Sequence, residues 1–371
     1  MKEINEIVER MSTFRPGERA VLATVVDVQG SGYRLPGARM LILQNGDTFG
    51  MVSGGCLEAD VMARANKVLE NDRAEVFTYD TTKDAESVFS LNMGCRGIVR
   101  IMLDPIEPDS ALLRILKDVR EDRRPRTLAT VIASEAGFEH LIGSRTVYDG
   151  EEFDLESTDP TLSDSEKLIS ETAEFARSQK TFGFGRIDHQ NSSLELAFET
   201  LHPPVSLLVF GAGADAIPLA KIADQLGWQI TVFDHRPAFL TADRFKEANK
   251  LVLHNDEHPL SLPDGDSRTV AVVMTHNYQK DVVILPLLLR SDIACIAALG
   301  PKRRTEQILE ESTESFTPEQ LSRLYAPAGL DIGAATPEAI ALSIVAEIQS
   351  VLGSRSGGHL RERVGSIYDR K

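Results

Sequence analysis

Three short segments carry residue types on which chemistry could be built. The first is Val52-Ser-Gly-Gly-Cys-Leu-Glu58. Apolar residues Leu57, Val61, Ala65, Val68 and Leu69 recur at helical spacing, which predicts a helix over 56–69 with Cys56 at its start. A helix N-terminus favours thiolate over thiol. Gly54 and Gly55 let a ligand approach backbone N–H groups, and Glu58 falls in the first turn. The second segment is Asn92-Met-Gly-Cys-Arg-Gly97, where Cys95 stands beside Arg96. Arg34 and Arg39, in the loop over 30–39, offer further anion contacts. No C-x-x-C pair or histidine cluster at zinc spacing accompanies these cysteines, so a structural zinc is not expected. Either thiol can also be read as a small buried side chain in a tight turn. Cys295, inside an apolar run, reads as core.

The third segment is Ser206-Leu-Leu-Val-Phe-Gly-Ala-Gly-Ala-Asp-Ala216. It is a G-x-G-x-x-A pattern between a predicted strand and a predicted helix. Gly211 permits the tight turn, Ala212 follows it, Gly213 lets backbone approach a pyrophosphate, and Ala216 lets helix and strand pack closely. The helix start supplies free N–H groups and positive partial charge. Asp234 ends the next predicted strand, where an acid would meet a ribose hydroxyl; Arg236 close by would instead take a phosphate. Asp215 brings a carboxylate to the same helix start. Thr275-His-Asn277 follows another strand, and ligands in open parallel sheets bind beyond the carboxyl ends of strands. His276 could hold a phosphate or move a proton; equally, the three form a cap with Asn277 opening the next helix.

The elements that must position these segments divide the chain. Before Leu201-His-Pro-Pro204, strands are predicted over 20–28, 75–79, 97–103, 128–132 and 194–198, with a hairpin of 40–43 and 48–52 turning at Asn45-Gly46 in a tight primed turn. Helices are predicted over 4–11, 111–119 and 165–178. Two adjacent prolines suit a linker better than a helix or central strand. Beyond them, apolar runs at 206–210, 229–233, 250–253, 269–274 and 293–297 alternate with helices at 216–226, 279–289 and 304–311. That rhythm predicts a doubly wound parallel sheet. Thr336-Pro-Glu338 opens a last helix, and 356–371 reads as a loose tail. The expected plan is α/β: an α+β domain over 1–200, then a Rossmann-like domain over 201–355.

The chain has 371 residues and a net charge of −16, about −12 of it before residue 201. Such a field repels nucleic acid and anionic membranes. The longest apolar stretches fall short of a membrane span, and the N-terminus lacks a signal peptide's apolar core. Three cysteines cannot form a paired disulfide framework. The expectation is a cytoplasmic protein with reduced thiols.

The ordered set of motifs resembles the XdhC/CoxI family over nearly the whole chain. It comprises Gly30-Ser-Gly32, Pro36-Gly-Ala-Arg-Met40, Ser53-Gly-Gly-Cys-Leu-Glu58 and Met93-Gly-Cys95, then Val209-Phe-Gly-Ala-Gly213, Asp234-His-Arg236, Met274-Thr-His-Asn277, Gly300-Pro-Lys-Arg-Arg304, Gly329-Leu-Asp-Ile-Gly333 and Thr336-Pro-Glu338. The resemblance implies a maturation factor for molybdenum hydroxylases such as xanthine dehydrogenase. Such a factor binds molybdenum cofactor, supports its sulfuration by a cysteine desulfurase, and delivers it to the apoenzyme, often as a homodimer. It also implies a cofactor site at Gly54, Gly55, Cys56, Glu58 and Cys95, with Gly211 and Gly213 in the other domain, and Cys56 or Cys95 near the metal. Ala214 stands where the family commonly has His, and Arg96 where many members have Gly. Two other readings remain: an NAD(P)-dependent oxidoreductase using the Gly211 turn, Asp234 and His276, and an interaction scaffold that binds neither ligand.

Overall fold

The computed structural model describes residues 2–15, 17–30, 32–80, 97–135, 137–156, 162, 165–190, 192–255, 257–364 and 367. Its contacts separate two compact units, one of Glu3–Pro203 and one of Pro204–Lys371 with Met1–Lys2.

The first unit holds two antiparallel sheets. One runs β3-β2-β1-β5-β4, with β1 (Ala20–Gly30), β2 (Arg39–Leu43), β3 (Thr48–Gly50), β4 (Glu75–Asp80) and β5 (Gly97–Ile106). The central β1 has no polar alternation because helices cover both of its faces. Ala20 and Leu22 pack with Ile7 and Met11 of α1 (Lys2–Ser12). Val21, Ala23 and Val25 pack with Val61, Ala65 and Val68 of α2 (Glu58–Asn71). The β2–β3 turn differs from the primed turn expected. Gly46 alone takes positive φ, and its N–H donates to the Leu43 carbonyl, giving a three-residue loop.

The second sheet runs β8-β7-β6-β10-β9: β6 (Arg126–Ser134), β7 (Arg145–Tyr148), β8 (Phe153–Glu156), β9 (Phe182–His189) and β10 (Ser192–Leu201). Helices α3 (Ala111–Glu121) and α4 (Glu166–Arg177) accompany it. In β9 two glycines leave room for rings: a Cβ at Gly183 would meet Phe175, and one at Gly185 would meet Phe198. Those two rings stack at 5.0 Å.

The second unit is a six-stranded parallel sheet in the order β13-β12-β11-β14-β15-β16. Its strands are β11 (Ser206–Phe210), β12 (Gln229–Asp234), β13 (Lys250–Leu253), β14 (Thr269–Val273), β15 (Cys295–Ala298) and the two-residue β16 (Leu324–Tyr325). Helices α5 (Ala216–Gln225), α6 (Tyr278–Arg290), α7 (Lys302–Glu311), α8 (Pro318–Ser322) and α9 (Pro337–Leu352) connect or flank them. Val209 and Leu207 face a core with α5 and α9, whereas Leu208 and Phe210 face one with α6. Both faces are therefore covered, as a parallel sheet requires. Among the described residues no helix is long and apolar enough to cross a membrane.

Candidate functional site

In the first unit, Cys56 lies just before α2, in an irregular loop. Glu58 folds back over that loop. Its carboxylate accepts the Ser53 N–H at 2.8 Å, the Leu57 N–H at 3.2 Å and the Ser53 hydroxyl. Burial pulls the Glu58 carboxyl upward, but these hydrogen bonds outweigh it and hold it below its ordinary value. Gly55, at φ +103°, has nothing within contact of a would-be Cβ, and Gly54 lies under the Tyr33 ring. The Cys56 thiol is exposed, 3.7 Å from the Ser53 hydroxyl. The loop is thus pinned from beneath while its thiol and glycine backbone face solvent.

Cys95 and Arg96 lie outside the described residues. Arg34 and Arg39 are engaged elsewhere in the unit. Arg34 pairs with Glu3, and buried Arg39 forms a two-pronged contact with Glu199 at 2.5 and 2.9 Å. Among the described residues no group of three or more His, Cys, Asp or Glu side chains is arranged to hold a metal ion. Cys295 is buried, and burial pushes its thiol up to about 12.

In the second unit, the turn after β11 has the backbone its glycines imply. Gly211 sits at φ +116°, and a Cβ there would collide with the Met274 carbonyl. Only glycine serves at that position. The Asp234 carboxylate, buried at the end of β12, turns inward. It accepts the Ala212 N–H at 2.7 Å, the Arg236 backbone N–H at 2.8 Å, and Arg236 Nε and Nη2 at 2.9 and 2.8 Å. Burial would raise this carboxyl, but Arg236 and the two backbone donors bring it down to about 2. Arg236 also lies 4.0 Å above the Phe239 ring, which Arg244 approaches at 4.8 Å; Arg244 donates to the Ala212 carbonyl.

Gly213 carries a different neighbour. A Cβ there would strike the Asp215 carboxylate, whose other oxygen lies 2.6 Å from His276 Nε2. The structure brings Gly213, Asp215 and His276 together, with the carboxylate–imidazole pair over the second glycine. His276 adopts φ +55° to reach it. Thr275 and Asn277 serve the chain itself: Asn277 caps α6 through the Lys280 N–H, and the Thr275 hydroxyl binds Asp281. Arg304 holds Asp281 in turn, donating from Nε at 3.1 Å.

Sequence reasoning names His235 and Arg304 only inside the family motifs and passes over Arg244, Asp281, His254 and Lys280. A signal for His235 and His254 is nonetheless present in the sequence. Each directly follows a strand's carboxyl end, where ligands of open parallel sheets bind.

The chain matches the family model for the XdhC Rossmann domain over residues 207–348, and that for the XdhC and CoxI family over 14–80. It is 30% identical to a probable xanthine dehydrogenase subunit of Bacillus subtilis (strain 168), across 89% of this chain and 92% of that one. It is 23% identical to the molybdenum cofactor insertion chaperone PaoD of Escherichia coli (strain K12), across 90% and 84%. The crystal structure of a xanthine dehydrogenase from Bacillus halodurans superposes with a TM-score of 0.74 at 27% identity, across 96% of this chain and 97% of that one. Two glycine-bearing loops, one presenting a thiol and one on a parallel sheet, thus sit on a chain that matches a relative at 30% identity over most of both lengths and two of the family's models: it belongs to the XdhC and CoxI family.

Proposed function

We propose that this protein is a carrier of molybdenum cofactor: it holds the pyranopterin, supports its sulfuration by a cysteine desulfurase, and passes it to the apoenzyme of a xanthine-dehydrogenase-type hydroxylase in the cytoplasm. The observation that carries the reading is the Ser53–Glu58 loop. Its exposed Cys56 thiol is set among exposed glycines, on a backbone that Glu58 fixes from below. A soft thiolate is the protein ligand suited to a molybdenum–dithiolene centre, and Gly55, with nothing within contact of a would-be Cβ, leaves space for a ligand against the backbone. Cys95 and Arg96 belong to the same proposal through the family's motif. The name of the E. coli relative, an insertion chaperone for this cofactor, supports the carrier role. The relatives named for xanthine dehydrogenase support the client class. Binding and handover are then the whole activity of this chain.

In the second unit, the turn Gly211, Ala212, Gly213 with Arg236 and His276 belongs to the same proposal as a second set of ligand contacts, with Asp234, Thr275 and Asn277 holding the chain around it. An NAD(P)-dependent oxidoreductase draws less support. The acid that would take a ribose hydroxyl is occupied by Ala212 and Arg236, and a carboxylate covers the glycine that would face a pyrophosphate.

The test is co-elution of purified protein with cofactor released from a molybdenum hydroxylase, for wild type and Cys56→Ala. Wild type should retain cofactor in stoichiometric amount and Cys56→Ala should lose most of it. Failure of wild type to retain it overturns the proposal. Light scattering tests the homodimer, and pull-down with a cysteine desulfurase tests that partnership.

A further inference from the structure

Beyond the carboxyl ends of β12 and β13, the second unit gathers two imidazoles and an ammonium; His235 Nδ1 lies 3.3 Å from the Asp234 carboxylate, which leaves its Nε2 unclaimed among the described residues. His235 follows β12 and His254 follows β13, with their rings 6.3 Å apart. His254 is buried to 7% exposure, its backbone N–H donates to the Asp234 carbonyl, and its ring has no hydrogen-bond partner among the described residues. Lys280, in the first turn of α6, has no ion-pair partner among them either. Burial first, then the charges of Lys280 and His235, hold the His254 imidazole below its ordinary value, against an opposing pull from Asp234. The acids nearby are already engaged: Asp234 with Arg236 and with His235 Nδ1, and Asp281 with Arg304 and Thr275. The result is a cluster of nitrogen donors (the His254 ring, His235 Nε2 and the Lys280 ammonium) close to a glycine turn over which the Asp215 carboxylate lies.

We infer that His235, His254 and Lys280 form a binding site for a phosphate monoester, displaced from the glycine turn by the Asp215–His276 pair. Histidine N–H groups and an ammonium suit a compact dianion that accepts several charge-assisted bonds. The buried imidazole can give such an anion a donor with little water competing for it. The inference rests on the carrier reading for its biological ligand, because the pyranopterin ends in a phosphate monoester. The site itself needs only the phosphate.

The experiment is a titration of the full chain with glycerol 3-phosphate, followed by NMR of the histidine rings and by calorimetry. Saturable shifts are expected at His235 and His254. His254→Asn or Lys280→Gln should each weaken binding about tenfold, while Lys221→Gln, at an exposed position of α5, should change it little. Shifts confined to the amides of Ala212, Gly213 and Ala214 would place the anion on the glycine turn and overturn the inference. So would an absence of saturable binding, even if wild type still co-elutes with cofactor. Phosphate binding at His235 and His254 without cofactor co-elution would support the site and overturn the carrier reading alone.

Discussion

Replacing Asp234 by Asn exchanges one carboxylate oxygen for an NH2 group at the point where the glycine turn is fastened to β12. The Asp234 side chain is 1% exposed, and its two oxygens receive four N–H donors. An amide offers one oxygen. In either orientation its NH2 group faces two donors, one of them a backbone N–H. With the oxygen toward Arg236 backbone and Nε, the fully buried Ala212 N–H loses its acceptor. An unsatisfied buried donor costs about 1–3 kcal/mol, and a lost bond to a charged group about 1.5–3 kcal/mol. Arg236 is 38% exposed and recovers part of its share from water. The sum is about 3 kcal/mol, which for a domain of ~170 residues lowers Tm by about 6–12 °C. Trp228, the single tryptophan, sits in the core of this unit at 6% exposure, so its fluorescence reports the relevant transition. The pH dependence has a definite sign. The Asp234 carboxyl lies at about 2 in the folded chain against 3.8 as its ordinary value. Its charge therefore stabilises the fold above pH ~4, and that share, about 2 kcal/mol, fades as pH falls toward 2. The gap between wild type and Asp234→Asn should be full at pH 7 and narrower at pH 3. A shift under about 2 °C at pH 7, or a gap unchanged at pH 3, would refute the reasoning.

Two further outcomes follow from the same unit. Gly211→Ala should destabilise it by several kcal/mol, since it needs both a positive φ and space occupied by the Met274 carbonyl; the check is urea unfolding followed at Trp228. Glu347 accepts the Gly329 N–H at 2.8 Å, yet burial pushes its carboxyl above 4.5. The unfolded chain then ionises first, so stability falls as pH climbs from 4.5. Glu347→Gln keeps an acceptor for Gly329 and should raise Tm at pH 8 while leaving it unchanged at pH 4.

The parallel sheet was legible because each of its longer strands is a short apolar run bounded by turn residues, and burial on both faces leaves no other pattern. β16 was not: two residues paired beside β15 carry no periodicity. In the first unit the missed strands hide behind their composition. β7 opens on Arg145, whose charge is buried against Asp104, and β8 runs into the acid-rich stretch 151–166. β9 carries glycines that normally weaken a strand, and only the stacked rings of Phe175 and Phe198 explain them. At the sites, local chemistry was legible and pairing was not. Arg39 reads as an anion contact until Glu199, 160 residues away, is seen to hold it.

The two glycines of the fingerprint are kept for different physical reasons, and the difference bears on what the fingerprint means here. Gly211 is fixed by the chain: its φ and the Met274 carbonyl exclude any side chain, whether or not a ligand ever binds. It is evidence for the fold alone. Gly213 has negative or extended backbone, and the Asp215 carboxylate lies across the space where its Cβ would point. The missing side chain that elsewhere admits a pyrophosphate here admits an acid, which His276 then clasps at 2.6 Å. A negative group in that position repels the phosphates the motif ordinarily collects. A ligand anion therefore has reason to settle away from the turn, on the donors of His235, His254 and Lys280, so that the parallel sheet can serve a phosphate monoester without its glycine fingerprint.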